Sequence, residues 1–102
     1  MDYSQMCPKY EVAIDLLGKK WTGLIIRVLL DGPKRFKEIK AQIPEMSDRI
    51  LTERMKELEL QKIIVRNVYP EKPVRIEYEL TEKGLALKPV IESIQSWGEN
   101  WV

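Results

Sequence analysis

A single cysteine stands next to a proline near the start of the chain, as Cys7-Pro8. Proline is favoured at the first position of a helix, so Cys7 is expected at the N-cap, beside backbone N–H groups that lack helical partners. These groups, the helix dipole and the nearby Lys9 favour the thiolate, which is the nucleophilic form of cysteine. The alternative is a small buried hydrophobe, the commoner role of a lone cysteine.

A second group of reactive or hydrogen-bonding side chains lies on one face of a helix predicted from Ser47 to Gln61. Ser47 is a favourable N-cap, and Leu51, Met55 and Leu58 form an inner apolar stripe. The opposite face carries five side chains that can all hydrogen-bond: Asp48, Arg49, Thr52, Glu53 and Lys56. Arginine, threonine and lysine suit base edges and phosphates, so this face is predicted to contact DNA. A merely solvated helix face is the alternative.

The segments around this helix follow the order of a winged helix-turn-helix. Residues 36–43 predict a short helix with Lys37 and Lys40 pointing outward, and Pro44 ends it. Residues 63–69 and 74–80 alternate as the strands of a hairpin. Helix, turn, helix and hairpin in this order place the second helix in a DNA major groove. We therefore predict a helix-turn-helix at about 36–61 and a wing at about 63–80.

The hairpin tip carries Lys72 and, beside it, Arg75, which are candidates for contact with phosphate or the minor groove. A simply solvated tip is the alternative. The full set of predicted DNA-contacting residues is Lys37, Ser47, Asp48, Arg49, Thr52, Glu53, Lys56, Lys72 and Arg75. Residues 21–30 are the most apolar segment and predict a central core helix, and residues 35–36 predict a very short strand.

The remaining helices are predicted at about 8–18 and 82–101. Gly18 is expected to end the first in a left-handed conformation, and Pro89 to kink or split the last. Apolar residues recur at three- and four-residue spacing along the last helix, as in a heptad seam. Exposed tryptophans are costly in so small a protein, so we predict a dimer interface; packing of the last helix on the first is the alternative. Its predicted residues are Tyr10, Leu87, Val90, Ile94, Trp97 and Trp101.

Length and composition predict one domain, residues 1–102, of α+β class and mainly helical. The 17 basic and 16 acidic residues leave a net charge of +1, so any DNA-binding surface must be locally basic. The chain has no histidine, glycine-rich phosphate loop or metal-ligand spacing, which makes an enzyme, a cofactor or a metal site the weakest interpretation. The polar residues 1–6 resemble no secretory signal, and no apolar run is long enough to cross a membrane, so a cytoplasmic protein is expected.

Seven short motifs occur in order along almost the whole chain, and together they are highly specific. They resemble the HxlR family of bacterial winged helix-turn-helix transcription regulators, a branch related to MarR-type repressors. The motifs are Cys7-Pro8, LGKKWT at 17–22, LDGPKRF at 30–36, LTERMKEL at 51–58, VYPEKP at 68–73, EYELTEKG at 77–84 and Pro89-Val90.

The resemblance implies a homodimer joined through its terminal helices and bound to a pseudo-palindromic operator in double-stranded DNA. It is strongest to the subgroup of repressors that sense quinones, diamide or related electrophiles through an N-terminal Cys-Pro cysteine, which implies that role for Cys7. Some members carry a further cysteine near the C-terminus, and this sequence has none. Alkylation, capping by a small thiol, or pairing with Cys7 of the partner subunit therefore remain open for Cys7.

Two other functions remain compatible with the sequence. One is a regulator of the same fold in which Cys7 is structural and a small molecule binds reversibly near Trp21 and Trp97. The other is a winged helix that contacts proteins, which would lack the steep salt dependence of DNA binding.

Overall fold

The computed structural model describes residues 7–102, so the expectation about residues 1–6 lies outside the described part of the chain. The elements, in chain order, are α1 (Pro8–Gly18), α2 (Thr22–Leu29), α3 (Phe36–Gln42), α4 (Asp48–Leu60), β1 (Ile64–Tyr69), β2 (Arg75–Leu80), α5 (Glu82–Leu85) and α6 (Lys88–Trp101). This order confirms a mainly helical winged helix-turn-helix. Within residues 7–102, no helix combines the length and apolarity needed to cross a bilayer.

Helix α2 supplies the centre of the core, as the apolar segment predicted. Ile25 and Ile26 are fully buried, and Leu29 nearly so. Burial is not continuous around the helix, because Leu24 is half-exposed and Arg27 faces solvent. The predicted central core helix is confirmed, with one side of α2 open to solvent. The inner stripe of α4 packs into the same cluster through Leu51, Met55 and Leu58.

Side-chain to backbone hydrogen bonds of two residues, Ser47 and Lys40, stabilise the turn between α3 and α4. The Ser47 hydroxyl oxygen accepts a hydrogen bond from the Ile50 N–H at 3.1 Å, which confirms Ser47 as the N-cap of α4. The Lys40 ammonium donates to the carbonyl oxygens of Pro44 and Met46. The prediction that Lys40 points outward was therefore wrong, because its ammonium satisfies backbone acceptors that the break between the helices leaves open.

Strands β1 and β2 form the wing as an antiparallel pair, in register from Ile64 opposite Leu80 to Tyr69 opposite Arg75. A third short strand does occur, but it lies one residue earlier than expected. Lys34 pairs with Tyr78 through reciprocal backbone hydrogen bonds of 2.9 and 2.8 Å.

Two chain reversals differ from the predictions. Gly18 does not adopt a left-handed conformation; α1 includes it, and the left-handed residue is Trp21, with φ of 79°. The last helix is divided, with α5 ending at Leu85 and α6 starting at Lys88. Pro89 lies in the first turn of α6, where a missing N–H costs nothing, so the predicted split is confirmed.

Candidate functional site

The predicted reading face of α4 is on the surface. Asp48, Arg49, Thr52, Glu53 and Lys56 are all exposed and lie opposite the buried stripe. Arg49 and Glu53 form an exposed ion pair at 3.4 Å, and the Thr52 hydroxyl donates to the Asp48 carbonyl at 2.8 Å. Such a surface pair is weak, so Arg49 can exchange its carboxylate partner for a base or phosphate at little cost. Lys56 forms no salt bridge with any residue from 7 to 102.

A groove of about 380 Å³ separates α4 from the wing, and sequence reasoning missed one of its residues. The groove is lined by two cations, Lys56 and Arg66, by the acidic Glu59, and by the aromatic side chains of Phe36 and Tyr78. Arg66 shares a strand face with buried Ile64, and β1 packs against α4. That alternation was the available signal that Arg66 lies beside the reading face.

The two remaining candidates in the helix-turn-helix, Lys37 and Ser47, differ in how many of their polar groups are available to DNA. Lys37 on α3 is exposed, and within the described chain it forms no salt bridge, so it is available to phosphate. Ser47 is exposed as well, but its oxygen already accepts the capping bond from Ile50. Toward a phosphate, the Ser47 hydroxyl can still donate its hydrogen while it accepts that bond.

The wing tip is organised around Arg75. Its guanidinium donates to Glu71 at 3.0 and 3.2 Å and to Glu77 at 2.8 Å, and it lies 4.0 Å from the centre of the Tyr69 ring. The hydrogen bond from Arg75 lowers the pKa of Glu71, and the two carboxylates raise the pKa of Arg75. Arg75 is thus engaged within the wing, whereas Lys72 at the tip is exposed.

Cys7 is exposed and precedes the first turn of α1, where its carbonyl oxygen accepts hydrogen bonds from the N–H groups of Tyr10 and Glu11 at 3.0 and 3.3 Å. The predicted N-cap position is confirmed. The alternative of a buried hydrophobe does not fit the protomer, in which Cys7 is an exposed residue. An accessible thiol at a helix N-terminus can reach a dissolved electrophile.

The predicted dimer seam is uncovered in the protomer. Val90, Ile94, Trp97 and Trp101 are 41, 58, 63 and 76 % exposed. Tyr10 on α1 is also mainly exposed, while Leu87 is half-buried against the core. Helix α6 packs on α2, with Ile91 buried on its inner side. The alternative, in which this seam packs on the protomer's own first helix, is therefore not what the structure shows.

The two tryptophans suggested for a ligand pocket lie in different depressions. Trp21 lines an apolar one of about 460 Å³ with Leu17, Leu24, Ile91 and Ile94. Trp97 lines a shallow one beside the start of α6. Each of these two depressions therefore contains one of the two tryptophans.

Comparisons with known proteins agree with this architecture. The family model described as HxlR-like helix-turn-helix matches residues 16–102. The Bacillus subtilis regulator YodB is 56 % identical over 96 residues, covering 94 % of this chain and 86 % of YodB. The regulator YvaP of the same bacterium is 51 % identical over 102 residues, covering 100 % of this chain and 94 % of YvaP.

Solved structures superpose on nearly the whole chain. Reduced YodB from B. subtilis matches with a TM-score of 0.86 at 56 % identity and covers 94 % of both chains. YodB has also been solved in a quinone-bound form, which matches with a TM-score of 0.82 at 52 % identity, covering 94 % of this chain and 100 % of that one. The oxidised redox regulator HypR matches with a TM-score of 0.86 at 39 % identity, covering 92 % and 96 %. This chain is therefore a member of the HxlR-like helix-turn-helix family of transcriptional regulators.

Proposed function

We propose that this regulator is a homodimeric DNA-binding repressor that releases its operator when a quinone or another electrophile or oxidant modifies Cys7. The observation that carries the proposal is the position of an exposed Cys7 at the start of α1, a helix with an uncovered apolar face. Support comes from YodB, which shares 56 % identity with this chain and has a quinone-bound structure.

In the DNA complex, α4 lies in the major groove with Arg49, Thr52 and Lys56 toward the base edges. Asp48 and Glu53 border that surface and disfavour wrong partners by repulsion and unmet hydrogen bonds. Lys37, Ser47 and Arg66 contact phosphates beside it, and Lys72 contacts phosphate or the minor groove from the wing. Because the net charge is only +1, DNA binding needs a locally basic surface, and the exposed cations on α3, α4 and the wing supply it.

The dimer sets the distance between two reading helices. Two reading helices, one α4 from each protomer, must lie one helical turn apart on one face of B-DNA, about 34–36 Å. The seam from Leu87 to Trp101, with Tyr10 of α1, is the surface through which a second copy fixes that distance. A pseudo-palindromic operator follows from the two-fold symmetry.

Addition of Cys7 to a quinone balances without a further oxidant. The thiolate sulfur bonds to a ring carbon, the electron pair moves to a ring oxygen, and proton transfers leave an S-linked hydroquinone. The adduct places a ring at the start of α1, beside the uncovered side chains of Tyr10 and Ile14. It thereby changes the dimer contact and the spacing of the two readers.

The DNA-binding part is tested on an operator selected by the wild-type protein from a random DNA library. Arg49→Gln and Lys56→Gln are each expected to weaken binding by about 1–3 kcal/mol, since each removes a direct base or phosphate contact. Lys88→Gln, an exposed lysine on α6, is the charge-matched control and is expected to bind normally. Unchanged affinity in both α4 variants, or binding without salt dependence, would show that the reading face is misassigned or that the partner is a protein.

A reversible ligand remains the second candidate because of the apolar depression lined by Trp21, Leu24 and Ile94. Replacement of Cys7 distinguishes a reversible ligand from covalent modification. Release caused by a reversible ligand survives in Cys7→Ser, whereas release by covalent modification is lost. Loss of operator binding by Cys7→Ser even under reducing conditions would instead indicate a structural role for the cysteine.

A further inference from the structure

A small network connects the corner between α1 and α2 to helix α4. The Arg54 Nε donates to the Lys20 carbonyl at 2.9 Å, and its Nη1 contacts the Glu57 Oε1 at 3.3 Å. The Lys19 ammonium donates to the same Glu57 oxygen at 2.7 Å. We call these four groups the corner clamp. The Arg54 side chain is only 12 % exposed, whereas Arg49, in the other arginine ion pair on α4, is 80 % exposed.

The clamp holds a backbone conformation that the sequence alone disfavours. Trp21, immediately after Lys20, has φ of 79°, which is rare for a bulky side chain. Such a conformation persists where the surroundings determine it. Here the surroundings are the Arg54 bond to the preceding carbonyl, the Lys20 ammonium 5.0 Å from the Trp21 ring centre, and packing of that ring on the core.

Helix α1 is otherwise loosely held by its own protomer. Within residues 7–102, none of its side chains is buried, and only Leu16 and Leu17 at its C-terminal end pack against the core. The clamp lies directly after that end. Among residues 7–102, helix α1 is thus held at its C-terminal end, next to Lys19 and its bond to Glu57, and makes no core contact at the end that carries Cys7.

We infer that Arg54, with Glu57, is a positioning pair that couples the direction of α1 to the direction of the reading helix. Arg54 does so without touching DNA, since its Nε and Nη1 are bonded to Lys20 and Glu57 and its side chain is only 12 % exposed. The coupling specifies how a change at Cys7, or at the dimer contact of α1, alters the spacing between readers. This inference rests on the proposed function and adds the residues through which it operates.

The test compares a two-half-site operator with DNA carrying one half-site, both taken from sequences that the wild type selects from a random library. Arg54→Gln is expected to lower affinity for the full operator about tenfold, the scale of mutations in a coupling network. Its affinity for one half-site and its salt slope are expected to stay unchanged. It is also expected to tolerate spacers one or two base pairs longer, because the reader is no longer held at one angle.

Arg49→Gln on the same helix is the contrasting variant, because loss of a direct contact lowers affinity for both DNAs. Sedimentation and thermal unfolding establish that each variant is folded and dimeric. Lys19→Ala removes one arm of the clamp at a side chain that is nearly half exposed, and it decides the matter if Arg54→Gln fails to fold.

Three outcomes would overturn the inference. Wild-type affinity and spacer preference in both clamp variants would show that the clamp does not position α4. Equal losses on one and two half-sites, with a reduced salt slope, would show that Arg54 contacts DNA directly. If the wild type enriches no DNA sequence, the proposed function itself fails and the inference with it; in the first two cases the proposed function stands.

Discussion

Truncation of Trp97 tests the dimer that the proposed function requires. A fully covered tryptophan buries about 150–250 Å². Because 63 % of Trp97 is exposed in the protomer, roughly 100–150 Å² remain for a partner to cover. At about 25 cal/mol per Å², this contact contributes about 2.5–4 kcal/mol per protomer. A two-fold dimer contains it twice, so Trp97→Ala removes roughly 5–8 kcal/mol from association.

Each 1.4 kcal/mol is tenfold, so the dimer dissociation constant is expected to rise at least about a thousandfold. Sedimentation velocity over a concentration series measures this change directly. Leu60→Ala is the matched control, because Leu60 is an apolar side chain on α4 that is 82 % exposed and lies outside the seam. Thermal unfolding establishes that the variant protomer remains folded. Dimerisation of Trp97→Ala at wild-type concentrations would refute the assignment of this seam.

Three further predictions concern the wing and its junctions. Gly84→Ala places a Cβ 2.2 Å from the Ile63 carbonyl oxygen, so denaturant unfolding is expected to show a loss of about 1–3 kcal/mol or more. Arg75→Ala is expected to weaken operator binding without changing the slope of log affinity against log salt concentration, whereas Lys56→Ala lowers that slope by about 1. A lower slope for Arg75→Ala would instead show that Arg75 contacts a phosphate. Since Arg75 lowers the pKa of Glu71 below its ordinary 4.5, the bond stabilises the wing above that pH and is lost as pH falls through the folded value; an NMR titration of Glu71 that is unchanged by Arg75→Ala would contradict this.

The helix-turn-helix and the wing were predictable because their signals are local. Apolar spacing defined α4, and Ser47 marked its start through its own side chain. The division of the last helix was predictable from Pro89, because the missing N–H of a proline affects the helix only within one turn. These features depend on residues within a few positions of each other.

The features that sequence reasoning missed depend on contacts that form only when the chain is folded. Arg54 bonds a carbonyl 34 positions earlier, and this bond, together with packing of the Trp21 ring on the core, supports the left-handed conformation of Trp21. Arg75 was read as a free cation because its stacking on Tyr69 requires the folded hairpin. Arg66 lies beside the reading face because β1 packs against α4, and the sequence alone does not show that packing.

Covalent sensing at Cys7 is tested most directly by recording DNA binding and intact mass on the same samples. Wild type and Cys7→Ser are each bound to the selected operator, with and without a quinone. The account predicts that wild type releases DNA as its mass rises by one adduct, while Cys7→Ser binds, gains no mass and stays bound. Binding by both proteins that is indifferent to the quinone, or release of Cys7→Ser with no change in mass, would contradict covalent sensing at this cysteine.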